Sequence, residues 1–271
     1  MSPNARILLD SISPVGDRLT TMEVTFHRFV LAEFNTHRMF SRNSASSRAI
    51  PAHKLIERAQ TDPAYPLVWP AEQKGMQGGE DLSMGAEGEV RYLWERQLAH
   101  AVYTAKELVR LGLHKSVVNR ILEPFLWHTV IVTSTEWENF FRQRCSPLAQ
   151  PEIRAAAELM EQEYRASTPK MVQFGRWHTP LIQADEWGWT DEKLCMVSAA
   201  RCARVSHLTH EGVRDPAEDL SLFHRLVSAD PGHWSPLEHV ATPVDDHKYL
   251  QKGNLRGWAQ LRHQFEPNLP G

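Results

Sequence analysis

The sequence predicts an α+β protein, with a helix-rich single domain and a small antiparallel sheet. Apolar and polar residues alternate over Thr21–Phe26, as in a strand that buries one face. Over residues 87–111, apolar side chains recur at the spacing of one helix face, and Gly112 follows as a stop signal. The 271 residues, of which 42% are hydrophobic, allow one large domain or two small ones, and we expect a single catalytic domain over 1–271.

The remaining elements of the first 150 residues follow in order. Residues 60–85 are rich in Pro, Gly and polar groups, which predicts a long loop able to fold over a site. A second helix over 117–122 ends near Pro124, and the β-branched run 129–133 predicts a short strand. Thr135 and Glu138 have capping-box spacing, so a helix is expected to start there.

Three more helices are predicted after Pro147. The first carries apolar residues from Ile153 to Tyr164, and the second is capped by Thr190. The third begins at Asp215-Pro216, with proline at its first position.

Composition excludes several classes of protein. A net charge of −3 argues against a binder of nucleic-acid polymers or membranes, which needs a broad basic face. No apolar run is long enough for a membrane span, and the N-terminal residues do not show a basic region followed by an apolar one, so we expect a cytoplasmic protein. The three cysteines show no paired spacing and are expected to be reduced core thiols, and no histidine spacing predicts a metal site.

The segment Thr36–Arg48 has the most informative composition. It holds three arginines, one histidine and four serines in thirteen residues, without an acid. Arginine forks and serine hydroxyls suit phosphate oxygens, although a solvated basic loop has the same composition. Composition alone leaves both explanations open.

Arg144 stands on the apolar stripe of the helix predicted after Thr135. A buried guanidinium without a partner is costly. Arg144 therefore reaches out to solvent, pairs with a protein carboxylate, or points into a ligand cavity. On position alone, the first two explanations outweigh the third.

Four segments resemble the flavin-dependent thymidylate synthases. His37-Arg38 with Ser46 and Arg48 is similar to that family's R-H-R-x7-S signature, and Arg120–Pro124 resembles its R-x-x-L-P. Asn139–Arg144 with Ala149–Ile153 resembles N-F-x-x-L-R followed by A-Q-x-E-I. The segments Ala203–Ser206 and Gly232–His239 resemble A-R-V-S and G-H-x-S-P-F-E-H, which in the family precede the signature. This order implies a circular permutation, in which 1–190 holds the signature and helical core and 191–271 is the displaced N-terminal part.

The resemblance implies FAD as cofactor, dUMP as substrate, methylenetetrahydrofolate and NADPH as co-substrates, and a homotetramer with sites at subunit interfaces. By position, the implied cofactor-binding residues are Thr36, His37, Arg38, Ser44, Asn139 and, on the folate side, His239. The implied substrate-binding residues are Ser46, Ser47, Arg48, Arg120 and Arg144. Arg144 is also the implied catalytic residue, stabilising negative charge on the pyrimidine, so the resemblance favours the cavity explanation for its position.

The sequence departs from the family pattern at three positions of the signature. Thr36 stands in place of its first arginine, Ser44 in place of glutamate and Ala49 in place of tyrosine, and Arg262-His263 could supply the missing charge. These changes leave open whether the substrate is dUMP or dCMP and whether the product is methylated or hydroxymethylated. They also leave open a catalytically silent nucleotide- or flavin-binding protein.

Overall fold

The computed structural model describes residues 1–207, 215–245 and 253–265. Within these residues, five strands form one sheet in the order β3-β4-β2-β1-β5, and two further strands, β6 and β7, form a second sheet. The strands are β1 Asn4–Ile12, β2 Arg18–His27, β3 Ser41–Ser44, β4 Trp127–Ser134, β5 Lys170–Met171, β6 Ala241–Pro243 and β7 Trp258–Gln260. The pairings β3–β4, β4–β2, β2–β1 and β6–β7 are antiparallel, whereas β5 runs parallel to β1 at one edge of the large sheet.

The predicted helix-rich α+β fold class is confirmed. The described helices are α1 Leu31–Asn35, α2 Ala52–Thr61, α3 Met84–Arg110, α4 Lys115–Val118, α5 Glu138–Arg144, α6 Pro151–Ala166, α7 Asp191–Ala203, α8 Pro216–Ser228 and α9 Arg262–Phe265. A 3-10 segment, Asn119–Phe125, continues from α4 and contains Pro124. Side-chain oxygens of Thr190 and Asp215 accept backbone N–H bonds at the starts of α7 and α8, as their sequences predict.

The main core lies on one face of the large sheet. Met22, Val24 and Phe26 of β2 are fully buried there, in agreement with the predicted alternation. They belong to one cluster with Phe140 of α5 and Met160 of α6. Full burial of each such side chain stabilises the fold by about 1.5–3 kcal/mol.

The opposite face of β2 is also covered, which the alternation did not predict. Thr21 has no exposed surface, and Thr133 lies opposite it on β4. On the neighbouring part of this face, Ile131 clusters with Cys202 and Val205. β2 is therefore a central strand that is buried on both faces around Thr21, although Glu23 and Thr25 on the second face stay partly exposed. The buried hydroxyl of Thr21 needs a protein partner.

The capping box predicted at Thr135 is wrong. α5 begins at Glu138 after Trp137, and no side chain caps it. Thr135 Oγ1 instead accepts a hydrogen bond from the backbone N–H of Arg256 at 3.0 Å, and Glu138 pairs with Arg165 at 2.7 Å. A capping box needs the side chains of Thr135 and Glu138 to bond to nearby backbone N–H groups. It does not form here because both side chains bind residues from distant segments.

Candidate nucleotide and cofactor site

The basic segment begins at the C-terminal end of α1. Arg42 Nη1 donates to the carbonyl oxygens of Asn35 at 3.0 Å and His37 at 3.4 Å. A cation is favourable here because the last carbonyls of a helix lack partners and carry partial negative charge. Burial lowers the pKa of Arg42, although Glu238 opposes this. Arg42 thus stabilises the conformation of the segment by binding its backbone carbonyls, a role that the sequence analysis did not predict.

Arg144 joins the second segment to the first. Its Nε donates to Nε2 of His37 at 3.0 Å, and its Nη2 donates to Thr36 Oγ1 at 3.0 Å. Nη2 also lies 3.2 Å from the carbonyl oxygen of Glu33. The guanidinium forms no ion pair with a described carboxylate, and Nη1 donates to none of the described residues. The acceptors of the guanidinium are all neutral groups, so no described acid forms an ion pair that would neutralise its charge.

His37 is a neutral acceptor at neutral pH. Burial, together with the nearby Arg144 and Arg42 charges, lowers the pKa of His37 to about 4. Its ring also packs edge-on against Phe140, with centroids 4.8 Å apart. Since Nε2 accepts from Arg144, the ring proton resides on Nδ1.

Two further arginines of the basic segment have uncommitted side chains. Arg38 and Arg48 are exposed, and neither side chain has a hydrogen bond or ion pair with a described residue. Ser46 Oγ lies 3.3 Å from the backbone N–H of Arg48, while Ser44 ends β3 and is half-buried. Asn139 is exposed at the start of α5, where its Oδ1 accepts from Arg142 at 3.2 Å. These groups offer donors suited to an anion.

Ser47 and Arg120 are instead tied to a residue that the sequence did not single out as functional. Glu123 Oε1 accepts bonds of 2.8 Å from the Ser47 hydroxyl, from Arg120 Nη1 and from Arg28 Nη2. Burial opposes ionisation of Glu123, but Ser47 and Arg28 outweigh it and lower its pKa. Glu123 stands where the family pattern has leucine, three residues after Arg120, and this spacing was the available signal.

Arg28 also reaches into the sheet. Its Nη1 lies 2.7 Å from Nδ1 of His128, whose pKa burial and Arg28 lower to about 3. Arg28, Ser47 and His128 line a small cavity of about 70 Å³. The cluster fixes Ser47, which is buried, against the 3-10 segment that carries Arg120.

The C-terminal segments meet the basic segment at β3. Asn43 Nδ2 donates to the carbonyl oxygen of Cys202 at 2.5 Å, and Ser235 Oγ donates to Asn43 Oδ1 at 3.2 Å. The 3-10 helix Ser235–His239 packs beside this strand. Residues that are nearly two hundred positions apart are thus neighbours, as the resemblance implies.

His239 is fully buried on the sheet face opposite the main core. Its Nδ1 lies 2.8 Å from Thr133 Oγ1. Burial lowers the pKa of His239 to about 3, so this ring is neutral. Arg262 pairs with Glu238 next to it, and whether Arg262 replaces the arginine missing at Thr36 stays a prediction.

Two arginines at the C-terminal end of α7, Arg201 in its last turn and Arg204 just after it, serve the fold. Arg201 pairs with Glu186 at 2.7 Å and with Asp219 at 3.0 Å. Arg204 pairs with the other oxygen of Asp219 at 3.1 Å. These ion pairs join α7 to α8, so neither arginine is left for an anionic ligand.

The loop between α2 and α3, residues 62–83, borders a second cavity, which is larger than the one beside Ser47. This cavity holds about 620 Å³ and lies between the loop and residues 147–152, with the rings of Phe29, Trp69 and Trp94 in its wall. The backbone N–H of Leu67 donates to Glu152 at 2.9 Å and anchors the loop to α6. Asp81 and Glu152 line the cavity without an arginine or lysine, so a phosphate group is disfavoured there.

Two other kinds of site are absent from residues 1–207, 215–245 and 253–265. No group of three His, Cys, Asp or Glu side chains in these ranges is placed to hold a metal ion. No helix in the same ranges has the length and apolar character of a membrane span. Cys195 and Cys202 are free buried thiols, and burial raises the pKa of Cys195 to about 12.

Known structures and sequences were compared with the chain. No curated protein sequence matches it. The UMP/dUMP methylase PolB from Streptomyces cacaoi, bound with 5-Br dUMP, is 18% identical over 54% of this chain and 66% of that chain, with a TM-score of 0.42. The same protein bound with 5-Br UMP is 14% identical over 60% of this chain and 89% of that chain, with a TM-score of 0.47.

A family model gives the assignment. The model of Thy1, the thymidylate synthase complementing protein, matches residues 13–170, more than half of the chain. The matched range contains both partners of the Arg144–His37 hydrogen bond and all of the Glu123 cluster. The chain therefore belongs to the Thy1 family, the flavin-dependent thymidylate synthases.

Proposed function

We propose that this protein methylates C5 of dUMP, using methylenetetrahydrofolate as carbon donor, NADPH as reductant and FAD as cofactor. The observation that carries the proposal is the contact between Arg144 and His37, which unites the proposed nucleotide and flavin residues. Family membership supports an enzyme that modifies dUMP. We extend this proposal to roles for particular side chains.

The residues present fit an anionic dinucleotide cofactor. Arg38 is exposed, carries no partner among the described residues, and follows the neutral ring of His37. We assign His37, Arg38 and Asn139 to FAD, with Thr36 and Ser44 at neighbouring positions. When bound, the flavin supplies the hydride that completes the methyl group.

Arg48, Ser46 and Arg144 are assigned to the nucleotide. Arg48 is an uncommitted cation suited to the 5′-phosphate, and Ser46 adds a hydroxyl donor. The Nη1 group of Arg144 has no described partner, so it can donate to the pyrimidine. A guanidinium fixed in this way stabilises negative charge on the ring as C5 becomes nucleophilic.

The overall reaction balances with these reactants. C5 loses a proton and gains a bond to the folate methylene carbon. Both bonds from that carbon to folate nitrogens break, and the two nitrogens take up two protons, one of which comes from solvent. A hydride reduces the transferred carbon to methyl, and tetrahydrofolate leaves. NADPH restores the reduced cofactor, so one NADPH is consumed for each dTMP.

The experiment uses purified protein with FAD, NADPH, methylenetetrahydrofolate and dUMP. We expect a bound flavin spectrum, dTMP by mass spectrometry, and NADPH oxidation equal to product. Protein that binds flavin and dUMP but yields no C5-alkylated nucleotide contradicts the proposal. Parallel reactions with dCMP identify the preferred base.

C5-hydroxymethylation of dUMP or dCMP is a second candidate. It is favoured by the altered signature, in which Arg144 donates to Thr36, and by Glu123, which engages Arg120 and Ser47. In this reaction water, rather than a hydride, captures the transferred carbon. A product heavier by one oxygen atom than the C5-methylated form of the same nucleotide, formed without stoichiometric NADPH oxidation, identifies it.

A non-catalytic nucleotide- or flavin-binding protein is the candidate from another class. This candidate is supported by the hydrogen bonds of Ser47 and Arg120 to Glu123, which occupy two of the side chains that the resemblance implies for substrate binding. Tight dUMP binding without a flavin spectrum or turnover supports this candidate. Formation of a C5-alkylated nucleotide rules out a non-catalytic protein.

We further infer that 191–271 is the displaced N-terminal part of the family's domain. The contacts of Asn43 with Cys202 and Ser235 support this, because they place the displaced segment against β3. A chain that starts at residue 191, runs through a flexible linker from 271 to 1, and ends at 190 preserves these contacts. We expect it to fold and bind dUMP as the native order does, whereas an unfolded product contradicts the inference.

A homotetramer is proposed from the surface of α3. Tyr92 and Tyr103 are 59% and 64% exposed, and they lie about three helical turns apart on one face. Leu93 and Leu111 are 52% and 68% exposed and add a second apolar stripe, about 100° around the helix from the two tyrosines. A patch of this kind is typical of an interface between protein chains.

A further inference from the structure

The cavity between the α2–α3 loop and residues 147–152 has no role in the proposed reaction. Its volume of about 620 Å³ lies within the range of ~300–1,000 Å³ that is typical of sites for small molecules. Asp81 and Glu152 are the only charged side chains among the described residues of its wall. The wall therefore combines aromatic rings with carboxylates, and both attract positive charge.

Backbone contacts hold the part of the loop that forms this wall. The N–H of Leu82 donates to the carbonyl oxygen of Trp69 at 3.0 Å, and Pro70 and Asp81 form an antiparallel bridge. The two arms of the loop are so close that a Cβ atom at Gly78 would clash with Pro70. The wall is thus formed by the chain itself, and a ligand does not have to order it.

Three aromatic rings belong to the wall, those of Phe29, Trp69 and Trp94. The two indoles meet edge to face with centroids 5.7 Å apart, and Trp94 packs in the same way on Phe125 at 5.5 Å. Because Phe125 belongs to a buried cluster, these contacts fix the indoles in place. Arg91, which does not line the cavity, lies 5.8 Å from the centre of the Trp69 ring, so this indole already contacts one guanidinium.

Glu152 provides a buried carboxylate with a free oxygen. It is only 3% exposed, and its Oε1 accepts the N–H of Leu67 at 2.9 Å. Its Oε2 accepts no hydrogen bond from a described residue and is not enclosed by protein atoms. Glu152 favours a charged His27, but burial outweighs this and lowers the pKa of His27, so that ring is not a counter-ion at neutral pH. Since Glu152 lines the cavity, a ligand there can reach Oε2 and pair with the charge.

Asp81 adds a second carboxylate on the loop side of the cavity. Its side chain is exposed and has no hydrogen bond or ion pair with a described residue. Glu152 stands in the first turn of α6, where the partial positive charge of the helix N-terminus stabilises an acid. With both acids ionised, the wall repels anions, and a neutral ligand would leave both charges uncompensated.

We propose that this cavity binds a planar organic cation of the guanidinium or amidinium class, with Glu152 accepting its N–H groups and the indoles of Trp69 and Trp94 contacting its flat surface. Such a cation is weakly hydrated, forms paired N–H bonds with a carboxylate and stacks on aromatic rings. A primary ammonium or a small metal ion is more strongly hydrated, and aromatic rings cannot replace its water. Charge, wall chemistry and volume therefore favour the same class of ligand.

The experiment measures binding to the full-length protein by calorimetry, without nucleotide or flavin. The probes are benzamidinium, benzylammonium and benzoate, which share one ring and differ in the attached group. We expect one benzamidinium to bind per chain, benzylammonium to bind about 10-fold or more weakly, and benzoate not to bind. Lack of benzamidinium binding, or equal affinities of the two cations, overturns the proposal.

Three variants locate the bound probe. Glu152→Gln keeps an oxygen for the N–H of Leu67 but removes the charge, so we expect the affinity for benzamidinium to fall about 10-fold or more. Asp81→Asn changes an exposed side chain without a partner and is expected to lower the affinity about threefold. Glu80→Gln is the matched control, because Glu80 is exposed on the same loop and does not line the cavity. Unchanged affinity in both Glu152→Gln and Asp81→Asn overturns the proposal.

Nuclear Overhauser effects locate the probe in the native protein, without a change at Glu152. We expect them between the ring protons of benzamidinium and the indole protons of Trp69 and Trp94, each assigned through a Trp→Phe variant. Contacts confined to other indoles overturn the proposal.

A blocked tripeptide, with arginine between two glycines, separates the two sources of a guanidinium. Binding as tight as that of benzamidinium supports an arginine side chain as the ligand, and weaker binding supports a free small molecule. Because no component of the proposed reaction is present, these results are independent of the proposed function.

Discussion

The Arg144 Nε group donates to Nε2 of His37 at 3.0 Å, and this bond joins two segments separated by 107 positions. Its geometry requires a neutral His37, which the lowered pKa provides. The arginine forms no ion pair with a described carboxylate, and its Nη1 donates to no described residue. A cation held rigidly by neutral groups is suited to stabilising charge that develops in a reaction.

Replacing Arg144 tests this role directly. Arg144→Gln removes the charge and Arg144→Lys removes the fork, so we expect turnover to fall about 100-fold or more in each. Nucleotide affinity and kcat are measured by calorimetry and product assays. Arg154→Gln, which removes an exposed ion pair on α6, is the control and should leave both unchanged. Normal turnover in either Arg144 variant contradicts the catalytic assignment.

Glu123→Gln tests the cluster around Ser47. The change removes the partner charge of Arg28, whose side chain is only 11% exposed, and we expect unfolding free energy to fall by about 2 kcal/mol. Glu158→Gln breaks an exposed pair with Arg154 and should change it by less than about 0.5 kcal/mol. Urea denaturation compares the two. Equal effects would show that the Glu123 cluster does not stabilise the fold.

Acid should destabilise the protein through its buried neutral histidines. The native pKa is about 4 for His37 and about 3 for His128, below the ordinary value of 6.5. Between these values the unfolded chain binds more protons, so stability is complete above pH ~6.5 and falls as pH drops toward the native pKa. At pH 5 each such histidine costs up to about 2 kcal/mol.

The check compares urea midpoints at pH 7.5 and pH 5. His128→Gln should reduce the difference between them, whereas replacing the exposed His53 by Gln should not. A stability that is independent of pH over this interval would mean that His128 is not a buried neutral group.

The surface of α3 offers a test of assembly. Leu93→Glu places a charge in the exposed apolar face, and we expect the oligomer to dissociate because a buried unpaired charge is costly. Sedimentation analysis measures the mass in solution. Val15→Glu, at a residue that is 57% exposed outside α3, is the control. A native protein that sediments as a monomer would remove the tetramer proposal.

Local sequence patterns predicted a helix or strand correctly where no contact with a distant segment opposed the pattern. The alternation at Met22, Val24 and Phe26 matches a fully buried face. Thr190 and Asp215 cap the helices that follow them, because no distant group in the described part of the chain competes for their oxygens. At Thr135 a distant backbone N–H does compete, and the capping box fails.

The sequence by itself determined the fold class, the family resemblance and the residue types of the candidate site. Only the tertiary structure decided which of those residues bind each other: Arg144 with His37, Ser47 and Arg120 with Glu123, and His239 with Thr133 of β4. Periodicity reports which face of an element is apolar, a property of neighbouring residues. The partner of a buried polar group depends on segments far away in the chain, because any donor brought within about 3 Å can satisfy it.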